Sequence, residues 1–268
     1  MRNPLKNQWA LILGASSGFG ASVALELARQ GMHILGVHLD RKATMVNVER
    51  LQNQISSAGR ESLFFNVNAA DPVKRSLVLK GAREKLTSSG EGKHILIFLH
   101  SLAFGSLRPY FPDDLGKPIS RDQINMTLDV MAHSLVYWTQ DLVTCGLLRE
   151  GSRIFAMTSS GGHRVWKSYG SVSAAKAALE SHIRQIALEL ASQGITANAI
   201  QAGVTDTPAL RKIPGHKTMV ENSIRSNPGG RLTTTEDVAR CIVALSHPYT
   251  QWMTGNVIRV DGGEDITA

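Results

Sequence analysis

Tyr169 and Lys176 are the two side chains of this sequence whose types and spacing best suit chemistry. They open the most regular helical pattern in the chain, which continues to about Ser192. Seven residues of α-helix turn through roughly 700° and rise about 10 Å, so both side chains are expected on one helix face. An ammonium beside a phenol favours the phenolate and eases hydrogen bonding to a developing oxyanion. The alternative is a chance pairing, which the rest of the chain must exclude.

A glycine-rich turn near the N-terminus is the second chemical signal. The apolar run Trp9–Leu13 leads into Gly14-Ala-Ser-Ser-Gly18-Phe-Gly20, and a helical pattern follows at once and stops at Gly31. Strand, glycine turn and helix in this order are the context of a dinucleotide-binding loop. The glycines admit a pyrophosphate close to the backbone, and the helix N-terminus supplies unpaired N–H groups. We therefore predict a bound dinucleotide here, against the alternative of a merely tight turn.

The end of the second predicted strand bears on the choice between NADPH and NADH. A carboxylate at this point accepts hydrogen bonds from the ribose 2′-OH and repels a 2′-phosphate. This sequence has His38 in that place, followed by Asp40 and then by the cations Arg41 and Lys42. The missing acid and the two cations favour NADPH, whereas Asp40 would favour NADH.

Length and composition are typical of one globular α/β domain. The chain has 268 residues, of which 43% are hydrophobic and 19% charged, and we interpret 1–268 as a single domain. No apolar run is long enough to span a membrane, and Met1–Trp9 is short, polar and unlike a signal peptide. Cys145 and Cys241 have no metal spacing and are expected to be reduced. These features predict a cytoplasmic protein.

The net charge of +7 raises the question of an acidic partner. No basic block with interleaved aromatic residues occurs, so we do not expect nucleic acid as the partner. The positive residues are dispersed, with a modest concentration between Arg211 and Arg231. A solvated basic surface explains this pattern, and an acidic or phosphorylated partner docking near the late segment is the alternative.

Strands and helices alternate strictly along the chain, which predicts a doubly wound parallel sheet with helices on both faces. Ser120–Leu148 is predicted as one long helix and Thr235–Ser246 as a capped helix, whereas Thr207–Asn227 is expected to be irregular. We find no metal spacing around His100, His133 or His163 and predict no metal site.

Several motifs in the expected order resemble the short-chain dehydrogenase/reductase family along the whole chain. They are the loop Gly14-x3-Gly18-x-Gly20, the Tyr/Lys helix and the terminal Val260-Asp-Gly-Gly263. Most members have Tyr four residues before Lys, a position occupied here by Val172. The Tyr-x6-Lys spacing and the segment beginning His100-Ser101-Leu102 are instead similar to the enoyl-acyl-carrier-protein reductases. Met131 replaces the Asn that ketone-reducing members use in a proton relay.

The resemblance implies a Rossmann fold, a homotetramer and reduction of an enoyl thioester on an acidic acyl carrier protein. Tyr169 would hydrogen-bond the enolate, and Lys176 would hold the nicotinamide ribose. A covering segment, residues 204–227, would close over the acyl chain. The other implied cofactor-binding residues are Gly14, Ser17, Gly18, Phe19, His38, Arg41, Asn66, Val67, Ser101, Leu102, Thr205 and Thr207.

Two departures from the enoyl-reductase pattern bear on substrate and cofactor. The glycine loop has the ordinary family form, which resembles a minor branch that tends to use NADPH. Ser159 stands where enoyl reductases often have a second aromatic residue, and Trp166 is a candidate to cover the substrate instead. Ser159 or Ser160 could also serve as the serine with which ketone-reducing relatives polarise a carbonyl. The competing functions are therefore a carbonyl reductase of 3-oxoacyl or hydroxysteroid type and a non-catalytic cofactor-binding protein.

Overall fold

The computed structural model describes residues 3–112 and 117–267, which contain one seven-stranded parallel sheet. Met1 and Arg2, the start of the polar lead-in, lie outside the described residues. The strands lie in the order β3-β2-β1-β4-β5-β6-β7. They are β1 Trp9–Leu13, β2 His33–His38, β3 Ser62–Asn66, β4 Ile95–His100, β5 Arg153–Ser159, β6 Thr196–Ala202 and β7 Val257–Val260. The predicted doubly wound Rossmann architecture is confirmed.

Eight α-helices connect and cover the strands of the described chain. They are α1 Gly18–Arg29, α2 Met45–Ser57, α3 Pro72–Ser88, α4 Arg121–Leu128, α5 Ser134–Thr144, α6 Gly170–Leu190, α7 His216–Ser226 and α8 Thr235–Leu245. Local sequence sets several of their starts. Asp71 accepts hydrogen bonds from Val73 and Lys74 at the start of α3, and Thr234 forms a capping box with Asp237 at α8.

The central strands are buried on both faces, which explains why they read as continuous apolar runs. Every residue of β1 is fully buried. One core cluster, which includes Phe98 and Trp138, fills one side of the sheet, and a second, which includes Leu27 and Phe155, fills the other. The packing of helices on both sides leaves the carboxyl ends of the strands as the accessible edge.

Two predicted segments differ from the structure. The long helix expected over Ser120–Leu148 is divided into α4 and α5 by a π-helical stretch, Asp129–His133. The irregular segment expected over Thr207–Asn227 contains the α7 helix, which begins directly after Gly215. Pro208, Pro214 and Gly215 lie before this helix and Pro228 lies after it, so none of them interrupts it.

Strand order changes direction between β1 and β4, which are neighbours although β2 and β3 intervene in sequence. In open α/β sheets the crevice at such a switch point is the usual ligand site. The turns that follow β1 and β4, beginning at Gly14 and Ser101, lie side by side here. The sequence predicts cofactor-binding residues in both turns.

Candidate active site

The glycine loop is packed so closely that a side chain at Gly14 would not fit. Gly14 has φ +82°, and a Cβ built on it would lie 2.3 Å from the carbonyl oxygen of Ser101. Ser17 stands in the N-cap position of α1 with extended backbone and makes no side-chain capping bond. The first N–H groups of α1 therefore remain open to an anion, which is the geometry that a pyrophosphate requires. The residues present fit a dinucleotide.

At the adenosine end, the predicted cofactor-binding residue His38 is paired within the protein. Its ring is buried, and its Nδ1 lies 2.9 Å from the Asp40 carboxylate. Burial raises the pKa of Asp40, but hydrogen bonds led by the Ser16 hydroxyl outweigh it and lower that pKa below its ordinary value. Because the ionised carboxylate only accepts, His38 Nδ1–H donates to it. Asp40, and not His38, is thus the polar group that contacts the glycine loop.

Asn66 is also occupied within the protein. Its amide accepts from the Asp40 N–H at 2.9 Å and donates to the Asp40 carbonyl at 3.0 Å. The N–H of Val67 donates to the His38 carbonyl at 2.8 Å. Asn66 therefore fixes the turn that carries Asp40. Arg41 is exposed beside this turn.

Tyr169 caps the N-terminus of α6, and Lys176 lies within that helix, two turns further on. The Lys176 Nζ is buried and donates to the Met157 carbonyl at 2.7 Å. Burial lowers the pKa of Lys176 to about 8, and nearby Glu180 opposes the shift. The lysine has three donors and uses one on β5, so others remain for a ligand in the crevice.

The phenol of Tyr169 is held in its protonated form. Burial raises its pKa, and a hydrogen bond with the Ser159 side chain only partly opposes this. The pKa-lowering effect expected of the Lys176 ammonium is therefore not dominant in this structure. The Ser159 Oγ also accepts the N–H of Gly161 at 3.1 Å. Ser159 is thus a direct neighbour of the candidate acid.

Both candidate catalytic residues line a cavity of about 510 Å³. Of the other predicted residues, Phe19, Ser101, Leu102, Thr205 and Thr207 also line it, together with Ser159 and Trp166. Its walls are mainly apolar and include Met131 and Val172. Gly14, Ser17, Gly18, His38, Arg41, Asn66 and Val67 are not part of its lining. The cavity therefore corresponds to the part of the site that holds the candidate catalytic residues, and not to the part predicted to bind adenosine.

The start of the covering segment lies against the glycine loop. Thr205 and Thr207 are buried, and a Cβ on Gly18 would lie 3.5 Å from the Thr207 methyl group. The Thr207 hydroxyl also accepts the N–H of Leu210 at 3.2 Å. Thr207 thus contacts the predicted phosphate loop and supports the following turn.

A C-terminal carboxylate that the sequence did not single out holds the wall of the cavity. The buried Asp265 side chain accepts from Arg164 Nε at 2.7 Å, His163 Nε2 at 3.0 Å and Gln201 Nε2 at 2.9 Å. Neighbouring Glu264 accepts the Val204 N–H at 3.0 Å. The turn after β7 is therefore tied to the loop that precedes Tyr169. No local motif indicates these contacts, because Asp265 is 102 residues from His163 and 64 residues from Gln201.

The histidines considered as metal ligands lie in separate places. His163 contacts Asp265, His133 Nδ1 is 3.0 Å from His182 Nε2, and the fully buried His100 Nε2 is 2.8 Å from Ser134 Oγ. Burial lowers the pKa of His100 to about 3, with Lys176 contributing. His100 is consequently a neutral residue at the end of β4.

Together, the parallel sheet, the glycine loop and the Tyr/Lys pair in an apolar cavity define an NAD(P)H-dependent oxidoreductase. The family model described as Enoyl-(Acyl carrier protein) reductase matches residues 14–264. The chain belongs to this family, a branch of the short-chain dehydrogenases/reductases.

Individual relatives include both enoyl and carbonyl reductases. The NADH-dependent enoyl-acyl-carrier-protein reductase FabI of Aquifex aeolicus is 32% identical over 170 residues, 63% of this chain and 62% of the relative. A crystal structure of the reductase (NADH) from that organism has a TM-score of 0.84 at 25% identity and covers 98% of both chains. The NADPH-dependent aldehyde reductase-like protein of Arabidopsis thaliana is 25% identical over 97% of this chain and 95% of its own.

Proposed function

We propose that this protein reduces the trans-2 double bond of an enoyl thioester, as an enoyl-acyl-carrier-protein reductase of fatty acid synthesis. The observation that carries the proposal is the protonated Tyr169 phenol facing an apolar cavity that Lys176 also lines. Similarity to two FabI enzymes supports the same reading.

The chain's own residues would hold the cofactor, stabilise the developing charge and exclude water. When bound, a reduced nicotinamide would supply the hydride that Cβ of the enoyl group accepts. Negative charge then gathers on the thioester oxygen, where the Tyr169 hydroxyl donates a hydrogen bond. The enolate takes up a proton at Cα, drawn ultimately from solvent, and this completes the saturated thioester. Lys176 holds the nicotinamide ribose with donors that β5 leaves free. The apolar wall of Met131 and Val172 excludes water from the acyl chain.

The decisive experiment follows NADH and NADPH oxidation with crotonyl thioester and acetoacetyl thioester in parallel. The proposal expects turnover of the crotonyl compound, with the acetoacetyl compound reduced slowly or not at all. Turnover of the acetoacetyl compound alone would refute it. Cofactor binding without turnover of either compound would indicate a non-catalytic protein.

We expect Asp40 to favour NADH over NADPH through its effect at the 2′ position of the adenosine ribose. Its carboxylate is bound to the glycine loop through Ser16, so a 2′-phosphate would approach a fixed negative charge. The preference for NADPH indicated by the sequence gains no support from the relatives named for NADH. Asp40→Asn should lower the ratio of kcat/KM for NADH to that for NADPH at least about tenfold, equivalent to about 1.4 kcal/mol.

The control for that substitution is Asp122→Asn, the same change at an exposed position in the first turn of α4. It should leave the cofactor ratio unchanged. An unaltered ratio in Asp40→Asn would instead assign cofactor choice to the exposed cations Arg41 and Lys42.

The alkaline limb of the pH–rate profile should report Lys176. Burial lowers the pKa of this ammonium to about 8, so the charged form is complete at lower pH and lost as pH rises through that value. The pKa of Tyr169 is raised, so the phenol does not titrate in the same range. We expect kcat/KM to fall above about pH 8. Lys176→Arg, which stays charged, should remove this limb while lowering the rate; a limb that persists would belong to another group.

Carbonyl reduction is the second candidate, favoured by one observation. The Ser159 hydroxyl contacts the Tyr169 phenol, so two hydroxyl groups could converge on a carbonyl oxygen. Relatives such as the aldehyde reductase-like protein are compatible with it. Met131 and Val172, in place of the Asn and Tyr of ketone-reducing members, make it the lesser candidate.

An acidic carrier protein remains our proposed partner. Two cations counted from the sequence are already paired: Arg211 with Asp206 at 2.8 Å and Arg231 with Asp237 at 2.6 Å. Lys212 and Lys217 are exposed in the covering segment, and Lys212 also lines the cavity. These two lysines are the better candidates for carrier docking. Among the described residues no helix has the length and apolar character to cross a bilayer, while cytoplasmic location and a homotetramer stay predictions.

A further inference from the structure

Trp166 joins the covering segment to the turn that presents Tyr169. Its indole Nε1–H donates to the Pro214 carbonyl at 3.0 Å. Its ring also lies against Gly215, where an added Cβ would be 3.4 Å from Cζ2. Gly215 has φ +75° and is the N-cap of α7. One side chain therefore contacts the covering segment at the point where its helix begins.

The backbone of the same residue holds Tyr169. The Tyr169 N–H donates to the Trp166 carbonyl at 3.1 Å and closes a turn in which Ser168 has φ +64°. A left-handed conformation is costly for a residue other than glycine and persists only where its surroundings impose it. This turn immediately precedes α6, so its geometry sets the direction in which the Tyr169 side chain leaves the backbone.

The other end of the loop is anchored separately. His163 and Arg164 are bound to the buried Asp265 carboxylate. The stretch between this anchor and α6 contains Trp166, and its indole bond to Pro214 bridges directly to the covering segment. Both Trp166 and the covering-segment residues Ile213 and Met219 line the cavity with Tyr169.

We propose that Trp166 is a positioning residue that couples closure of the covering segment to the placement of the Tyr169 hydroxyl. The inference rests on the proposed function and assigns a role to Trp166 that goes beyond covering the substrate. Ordering of the segment by an acyl chain would fix the indole through Pro214. The indole would then fix the strained turn and bring the phenol to the thioester oxygen. Binding of the acyl chain and alignment of the Tyr169 hydroxyl with the thioester oxygen would therefore occur together.

The test replaces Trp166 with Phe, which retains an aromatic ring but has no N–H donor. The matched control is Trp252→Phe, because Trp252 is 98% exposed. Trypsin cleavage after Arg211, Lys212 and Lys217 should become about fivefold faster in Trp166→Phe. The kcat with crotonyl thioester should fall about tenfold, whereas the KM for NADH should stay within about twofold because the glycine loop is untouched. Trp252→Phe should match the wild type in each measurement.

A measurement independent of turnover separates this proposal from the proposed function. The chain has four tyrosines, so 3-fluorotyrosine labelling gives a small set of ¹⁹F resonances, and Tyr169→Phe identifies the one that matters. That resonance should shift in Trp166→Phe and in Gly215→Ala, which disturbs the contact from the other side. Faster cleavage with the shifted resonance supports the coupling even if wild-type protein reduces neither thioester. Unchanged cleavage, or faster cleavage with an unchanged Tyr169 resonance, overturns it.

Discussion

Tyr169→Phe is expected to lower kcat with crotonyl thioester by about 10² to 10³-fold, while the KM values for thioester and NADH change by less than about threefold. The substitution removes one oxygen and keeps the ring that lines the cavity. The lost hydrogen bond strengthens as charge gathers on the thioester oxygen, so its loss acts on the transition state and not on ground-state binding.

The protonation state of the Tyr169 phenol explains why the fall in kcat should be large. Burial raises the pKa of Tyr169, so the hydroxyl carries its proton throughout the neutral range. In a cavity with mainly apolar walls, one preorganised donor is worth more than in water. Ser159 contacts the phenol and could donate in its place, but its Oγ also accepts from Gly161, which holds it close to the turn after β5.

Tyr137→Phe provides the control, because Tyr137 lies on α5 and is not part of the cavity lining. Its kinetics should match the wild type. Thermal unfolding of both variants would show whether the protein remains folded. A Tyr169→Phe enzyme that kept more than about half of its kcat would assign the donor role to another group, with Ser159 the first to test.

The sequence predicts the fold well because its signals are local. Apolar runs mark the buried strands, and the run Trp9–Leu13 has in the structure the bounds of β1. Turn-forming residues next to a short helix hide it from sequence analysis. Pro214 and Gly215 directly precede α7, which lies in a segment expected to be irregular. The π-helical stretch at Asp129–His133, which packs against α6, has no distinct composition that would mark it in the sequence.

The candidate site is predictable to the extent that its residues follow strand ends. Gly14, Ser101 and Thr207 converge because parallel strands bring their carboxyl ends to one edge. The spacing of residues along the sequence does not predict which polar groups pair with one another in the folded protein. The buried ring of His38 bonds to Asp40. Asp265, near the C-terminal end of the sequence, binds Arg164 in the loop that precedes Tyr169. Such pairings depend on tertiary contacts between residues that carry no shared motif.

Gly14→Ala should lower the free energy of unfolding by about 3 to 4 kcal/mol and weaken NADH binding at least about tenfold. Two costs add at this position. The left-handed φ of +82° is unfavourable for alanine, and the new Cβ would lie 2.3 Å from the Ser101 carbonyl oxygen, which is backbone and has no rotamer to move away. Relief would require the turns after β1 and β4 to separate, and these turns form the crevice where the cofactor is proposed to bind.

Gly59→Ala isolates the first cost from the second. Gly59 also has a left-handed φ, +69°, but an added Cβ there meets nothing within 4 Å. This variant should lose only about 1 kcal/mol and retain wild-type NADH affinity. Denaturant unfolding gives the two stabilities, and NADH fluorescence titration gives the affinities. A Gly14→Ala protein as stable as Gly59→Ala, with unchanged NADH binding, would mean that the two turns can separate freely. The close packing of the β1 and β4 turns would then not be what shapes the cofactor crevice.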